Sequence, residues 1–361
     1  RKTHDRHQPR VGDLVRQGAV MRIATYNVEW FTGLFDDEDQ LLLDDGWSAR
    51  HNITRAQQAQ ALGTVFRAMD ADAVMVIEAP DQSRKRGTVA ALERFAAHFD
   101  LRTRKAVIGF ANDTQQEIAL LFDADRLSAT HAPGGSVGQG EAPRFDGTLD
   151  IDLDIDARED HVVFSKPPLE LDIVTREGVA FHMIGAHLKS KAPHGAKTPQ
   201  DALRIGIANR RKQLAQAIWL RRRIDARLDD GTPLMVLGDL NDGPGLDSFE
   251  DLFGRSSVEI VMGHRQDRAL VDPHATRALG QRIGAMPTTS RFWIAPEKRY
   301  LQALLDYIMI SPALTAHRPQ WRIWHPLDDP ECWGDAALRD ALITASDHFP
   351  VTIDLDLTTR L

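Results

Sequence analysis

A chain of 361 residues, 42% of them hydrophobic, has enough apolar material to bury a sizeable core, at the upper end for one domain. Its formal net charge of −8 excludes a protein that grips nucleic acid with its whole surface, since phosphate neutralisation needs concentrated Lys and Arg; a local basic rim stays open. A single cysteine, Cys332, excludes internal disulfides and thiolate zinc sites, and no apolar run reaches the roughly 18 residues of a membrane span.

Residues 1–20 are polar and basic with no apolar stretch, so they read as a tail outside the fold, without a signal peptide. The expectation is one domain over residues 21–361, cytoplasmic and monomeric, with no protein partner evident and secretion left open. Arg22–Val28 predicts a strand. Thr54–Asp70 predicts a helix that Thr54 caps, with Leu62, Val65, Phe66 and Met69 on one face. Ala73–Ile77 is a short buried strand, Val89–Phe99 a helix and Glu117–Phe122 an extended segment. Leu149–Ile155 alternates apolar residues with Asp, the period of a half-buried strand. Leu169–Val174 and Ala180–Ala186 flank a hairpin turn at Glu177-Gly178. A long helix spans about Asp201–Leu228, and Gly231 and Pro233 end it. Strands follow at Leu234–Gly238, Leu304–Ile310 and Pro350–Leu357. Asp36–Asp45 reads as a solvated acidic loop, Ala132–Gly147 as a Gly/Pro-rich loop and Arg265–Lys298 as a weakly patterned insertion. Hairpins interspersed with helices predict an α/β fold with sheets packed face to face and helices outside.

The chemistry sits at strand ends. Asn27 and Glu29 end the first strand, Glu78 ends AVMVI, His187 ends FHMIGA, and Asp239 and Asn241 end LMVLG. Asp306 lies within LLDYIMI, and Asp347 and His348 precede the last strand. A carboxylate at a buried strand end is costly unless it is paired, hydrogen-bonded or bound to a cation. One such residue is usually structural; six or seven imply a shared site. Oxygen donors without thiolates point to Mg²⁺, Mn²⁺ or Ca²⁺.

TYNVEWF, VIEAP, GAHLKS, GDLND, LDYIMIS and SDHFPV, in this order, resemble the endonuclease/exonuclease/phosphatase superfamily, which includes DNase I-like nucleases, apurinic endonucleases, neutral sphingomyelinases and inositol-phosphate phosphatases. The matching segments run from Met21 to about Leu357, and SKPPL (Ser165–Leu169) resembles an RPPL element of bacterial members, with Lys166 in place of Arg. The resemblance implies a DNase I-like, four-layer αββα sandwich of two mixed β-sheets. It implies a divalent metal, Mg²⁺ first, held by Asn27, Glu29, Glu78 and Asp347. Asp239 is then the residue that orients or deprotonates the attacking water, Asn241 a phosphate ligand, and His348 the histidine at the scissile phosphate with Asp306 paired to it. His187 lies near the leaving group, either giving a proton or binding phosphate.

Lys189 and Ser190 follow His187 in a position to meet phosphate, or else belong to a solvated loop. Arg210 and Gln213 form an RxxQ pair that in similar proteins points toward the site; Arg210 is taken as phosphate-binding alongside Asn27, Lys189 and Ser190. The expected substrate is a phosphodiester, DNA or RNA, with a small-molecule or lipid phosphate as the alternative. A binding scaffold that has lost catalysis is a third class, which the complete set of site residues argues against.

Overall fold

The computed structural model describes residues 20–136, 142–153, 160–243, 255–265, 267–280, 285–294 and 298–358. The expected tail lies outside them except for Val20, and so does part of the expected strand Leu149–Ile155.

The strands, in chain order, are β1 Val20–Asn27, β2 Ala73–Ala79, β3 Lys105–Ile108, β4 Glu117–Phe122, β5 Leu127–His131, β6 Leu149–Ile151, β7 Asp160–Val162, β8 Leu169–Thr175, β9 Ala180–His187, β10 Leu234–Asp239, β11 Ser290–Ile294, β12 Arg299–Ala303, β13 Asp306–Ile310, β14 Gln320–Ile323 and β15 Val351–Asp356. The helices are α1 Arg55–Met69, α2 Thr88–His98, α3 Pro199–Asp229, α4 Ser257–Met262, α5 Pro273–Gly280, α6 Pro330–Gly334 and α7 Ala336–Ala345. One sheet runs β14-β15-β1-β2-β4-β3 and the other β13-β10-β9-β8-β5. Each is mixed, with one parallel pair: β1 with β2, and β9 with β10.

The strand patterns explain the layers. Met21 and Ile23 of β1 point into a core shared with Met235 and Leu237 of β10 and Ile308 of β13, between the sheets. The alternate residues Ala24 and Tyr26 face outward and pack with Leu62, Phe66 and Phe95 of α1 and α2 and Leu342 of α7. Likewise Leu234 and Val236 turn outward against Trp219, Leu220 and Ile224 of α3. A strand buried on both faces reads as an unbroken apolar run, which is why the periodicity revealed the strands but not the layers. This is the four-layer sandwich expected.

Local signals set the helix ends. Thr54 accepts from the Gln57 amide while the Gln57 side chain accepts from the Thr54 amide, a capping box. Thr198 caps α3 ahead of Pro199, so the helix starts earlier than expected. Two expectations change. The strand expected from Leu304 begins at Asp306, because Ala303 closes the β11–β12 hairpin instead. The insertion Arg265–Lys298 contains α5 and β11, elements whose helical and extended periods are too short to read.

Parallel pairing puts the carboxyl ends of β1 and β2, and of β9 and β10, at one edge. Asn27 pairs with Ile77 next to Glu78, Asp239 pairs with His187, and Asp239 faces Asp306 across the antiparallel neighbour. No helix among the described residues is long and apolar enough to cross a membrane.

Candidate active site

Asn27 joins the two sheets at this edge. Its Nδ2 donates to Asp239 Oδ2 at 3.1 Å and to Glu78 Oε1 at 3.4 Å, while its Oδ1 accepts from the Glu29 amide at 3.0 Å. The other Glu78 oxygen accepts from the Trp30 amide at 2.8 Å. Glu29, Trp30, Glu78 and Asn241 all have φ between 49° and 61°. Non-glycine residues hold the left-handed region at a cost, and such strain gathers where a structure fixes functional groups. Gly238 lets β10 close on β9: its φ is 134°, and a Cβ there would collide with the Ala186 carbonyl.

Asp239, 1% exposed, is the centre of the site. Its Oδ2 lies 3.7 Å from His187 Nε2 and 3.8 Å from His348 Nε2, and its Oδ1 accepts from the Asn241 amide at 2.8 Å. Burial pushes its carboxyl up to about 7; nearby Asp306 adds to this, and His348, Asn241 and Asn27 offset only part. His348 Nδ1 donates to Asp306 Oδ2 at 2.8 Å, and Thr289 Oγ1 donates to the same oxygen at 2.7 Å. Burial opposes charge on the His348 ring, but Asp306, Asp239 and Asp347 outweigh it and hold the ring well above its ordinary value, as an imidazolium. His187 goes the other way: burial, then Lys166 and His348, drive it well below its ordinary value. Lys166 Nζ donates to His187 Nε2 at 3.1 Å and to Gln116 Oε1 at 2.9 Å, and burial lowers the ammonium to about 8.

These groups open into a cavity of about 770 Å³, lined among others by Glu78, Lys166, His187, Asp239, Asp347 and His348. Lys189, Ser190 and Asn241 are also on its wall, and one Asn241 amide proton goes to the Leu188 carbonyl at 3.0 Å. The structure thus brings Asn27, Glu78, His187, Lys189, Ser190, Asp239, Asn241, Asp306, Asp347 and His348 to one place.

Two of the expected site residues have protein partners of their own. Glu29 borders the cavity, but its Oε2 accepts from the Asp347 amide at 2.9 Å and pairs with Arg50, so it braces the Asp347 loop before it is a metal ligand. Arg210 is 0% exposed, and its guanidinium donates to Gln213, Asp242, Ser257 and the Arg255 carbonyl. This buried guanidinium supports the cavity wall, which it also helps to line, and its Nε has no hydrogen-bond partner among the described residues. Gln213 Nε2 in turn donates to the carbonyls of Asn241 and Lys189 at 2.9 Å each, so the pair acts through those two residues.

Sequence reasoning gave Lys166 only as part of SKPPL. Asp242 and Ser346 likewise appeared only within GDLND and SDHFPV, although the Ser346 hydroxyl donates to the Asn27 carbonyl and accepts from the His348 amide; Thr289, Gln116 and Arg50 gave no signal. The oxygen-rich donors fit a hard divalent cation. Asp239, Asp306 and His348 present ligand atoms within 4.8 Å of one another, and the raised Asp239 carboxyl marks a place short of positive charge. Asp306 Oδ2 is taken up by His348 and Thr289, while its Oδ1 is buried without a hydrogen-bond partner among the described residues, so the site offers this oxygen together with those of Asp239, Asn27, Glu78 and Asp347.

The fold and this site define a divalent-metal-dependent phosphoester hydrolase. The chain belongs to the Endonuclease/Exonuclease/phosphatase family, whose sequence profile it matches over residues 24–348. No curated protein matches the sequence closely enough to count as a relative. Among solved structures it is similar to TDP2 from Caenorhabditis elegans (13% identity, 94% of this chain and 75% of that one, TM-score 0.48). It is also similar to an endonuclease/exonuclease/phosphatase family protein from Bacteroides thetaiotaomicron (13% identity, 93% and 97%, TM-score 0.48). A third is the human Nocturnin catalytic domain with bound sulfate (14% identity, 93% and 94%, TM-score 0.43).

Proposed function

We propose that this protein is a phosphodiesterase acting on nucleic acid, with Mg²⁺ held by Asn27, Glu78 and Asp347 and Glu29 bracing the last of these. The observation that carries this is the Asp239 carboxylate, met by Asn27, His187 and His348 at the floor of one cavity beside Glu78. When bound, the cation supplies charge neutralisation at the phosphoryl oxygens and a template for in-line attack.

The side chains supply the rest. Asp239, with a carboxyl near neutrality, takes the proton of the attacking water. His348, cationic through Asp306, faces a phosphoryl oxygen and steadies the charge that builds there. Asn241 gives its remaining amide proton to the same group. His187 is neutral and accepts from Lys166, so it orients the Lys166 ammonium, which burial lowers to about 8 and which gives the leaving oxygen its proton. Lys166, Lys189 and Ser190 form the cationic and hydroxyl wall that a phosphodiester needs.

The test is hydrolysis of bis-p-nitrophenyl phosphate, supercoiled plasmid and single-stranded RNA with Mg²⁺, Mn²⁺ or Ca²⁺. Metal-stimulated cleavage of a diester, lost in Asp239→Ala, is expected. Turnover confined to monoesters or lipid phosphates replaces this reading with that of a phosphatase or phospholipase C-like enzyme. No turnover of any ester by the folded, metal-loaded protein ends it.

A further inference from the structure

The cavity of about 770 Å³ is large for a phosphate group alone and falls within the range of sites that enclose a whole organic ligand. Its walls differ. One carries Lys166, Lys189, Ser190 and Lys191; the other is the inner face of the β11–β12 hairpin. On that face Phe292 and Leu301 are cross-strand partners, both lining the cavity and both only half-buried. Trp30, 41% exposed, stands on the rim.

The hairpin is fixed to the catalytic residues. Ser290 bridges to His348, the Arg291 amide donates to the Asp347 carbonyl at 2.7 Å, and Thr289 holds Asp306. Phe292 is two residues beyond Ser290 on the same face, so its Cα lies about 7 Å along the strand from the point of attachment to His348. The outer face is stiffened by Arg291 stacked 3.8 Å from the Tyr300 ring centroid and by Trp293 edge-on to Tyr300 at 5.1 Å.

We infer that Phe292, backed by Leu301, is a specificity-determining wall that takes a flat ring joined to the phosphoryl group, a nucleobase or an aryl alcohol. The inference rests on the phosphoester reading of the site and names the substrate's second half. An open phenyl face binds a ring by stacking and dispersion. The same wall disfavours a polyhydroxylated ring such as an inositol phosphate, whose hydroxyls lose water against Phe292 and Leu301 without a hydrogen-bond partner in return.

The test is equilibrium binding to the Mg²⁺-loaded protein of three probes: thymidine 5′-monophosphate, phenyl phosphate and deoxyribose 5-phosphate, which lacks a ring base. At least one ring-bearing probe binds about tenfold or more tightly than deoxyribose 5-phosphate. A preference for the nucleotide alone identifies a nucleoside, and for phenyl phosphate alone an aryl ester. Phe292→Ala brings the favoured probe to the deoxyribose 5-phosphate level. Phe292→Leu, which keeps apolar volume and loses the flat face, also loses most of the preference and serves if the alanine variant fails to fold. Equal affinity for all three probes in the parent, or a preference that survives in the folded variants, overturns the inference. Binding none of the three while bis-p-nitrophenyl phosphate is still hydrolysed overturns the inference alone, whereas binding none and hydrolysing no ester overturns the phosphoester reading itself.

Discussion

His187 and His348 face the same oxygen of Asp239, their Nε2 atoms 3.7 and 3.8 Å from it, yet their surroundings push the two rings in opposite directions, His187 down and His348 up. Burial opposes charge on both rings, and the difference lies in their partners: His348 has the Asp306 carboxylate at its Nδ1, whereas His187 has no partner at its Nδ1 among the described residues and the Lys166 ammonium at its Nε2. One carboxylate therefore lies between a cation and a neutral acceptor, an arrangement that separates phosphate stabilisation from lysine orientation.

Asp306→Asn tests the source of the His348 charge. With the carboxylate gone, the buried ring falls toward or below its ordinary value of about 6.5. In the parent the imidazolium persists well above that value, so activity holds into the alkaline range. The variant loses kcat/KM as pH rises through about 6.5, and its pH profile shifts to the acid side. Stability follows the same sign. The raised His348 contributes fully below about pH 6.5 and loses that contribution only as pH rises through its higher folded value; in Asp306→Asn that window closes. A profile that keeps the parent's alkaline limb refutes the dyad.

Asp239→Asn separates chemistry from folding. Activity falls by about 10²–10⁴-fold, the span of a lost general base. The folded carboxyl titrates near 7, above its ordinary range, so ionising it costs the parent stability as pH rises from about 4 to about 7. The amide has no such cost. Thermal melts of the metal-free proteins show the variant at or above the parent at pH 8, with the gap narrowing at pH 4. An inactive variant that melts well below the parent at pH 8 makes Asp239 structural.

Metal loading has a readout in the melting temperature. A cation that binds only the folded protein stabilises it by about 2.7 kcal/mol at one hundred times its dissociation constant. Mg²⁺ raises the parent's Tm and a chelator lowers it again. Glu78→Gln loses this shift, whereas Glu29→Gln keeps most of it, because the Glu29 carboxylate is occupied by Arg50 and the Asp347 amide. Equal loss in both variants returns Glu29 to the ligand set.

The sequence carried the strand ends because each is an unbroken apolar run closed by one or two polar residues, and burying such residues needs a shared reason. Asn27, Glu78, Asp239 and Asp306 stood out in this way as candidates, whereas the four-layer sandwich followed from the family resemblance. Direction was not legible. Glu29 was placed correctly in the chain, but its φ of 49° and the pull of Arg50 turn it toward Asp347, and Arg50 comes from a loop with no pattern of its own. Thr289 and Gln116 lie within short polar loop stretches, joined to the site by contacts that no spacing records. Phe292 lies in a segment whose strands are five residues each, too short for periodicity to tell from loop.

For Arg210, contact with substrate and support of neighbouring residues predict different outcomes. Its guanidinium is fully buried with Asp242, whose Oδ2 also accepts from the Ser257 amide at 2.6 Å and whose Oδ1 accepts from Lys191 at 2.7 Å. Removing Arg210 leaves Asp242 with Lys191 and the Ser257 amide but strips Gln213 and Ser257 of their donor, so Arg210→Ala loses stability by less than the roughly 3–5 kcal/mol of a fully uncompensated buried charge. Arg210→Lys restores charge but not the several directed hydrogen bonds, and recovers only part. If Arg210 bound phosphate, Arg210→Lys would raise KM with kcat little changed. As a support for Gln213, and through it for Asn241 and Lys189, it instead lowers kcat together with Tm, with the larger loss in kcat. Denaturant melts and steady-state kinetics on the two variants distinguish these outcomes, and a KM effect at unchanged Tm restores Arg210 to the phosphate site.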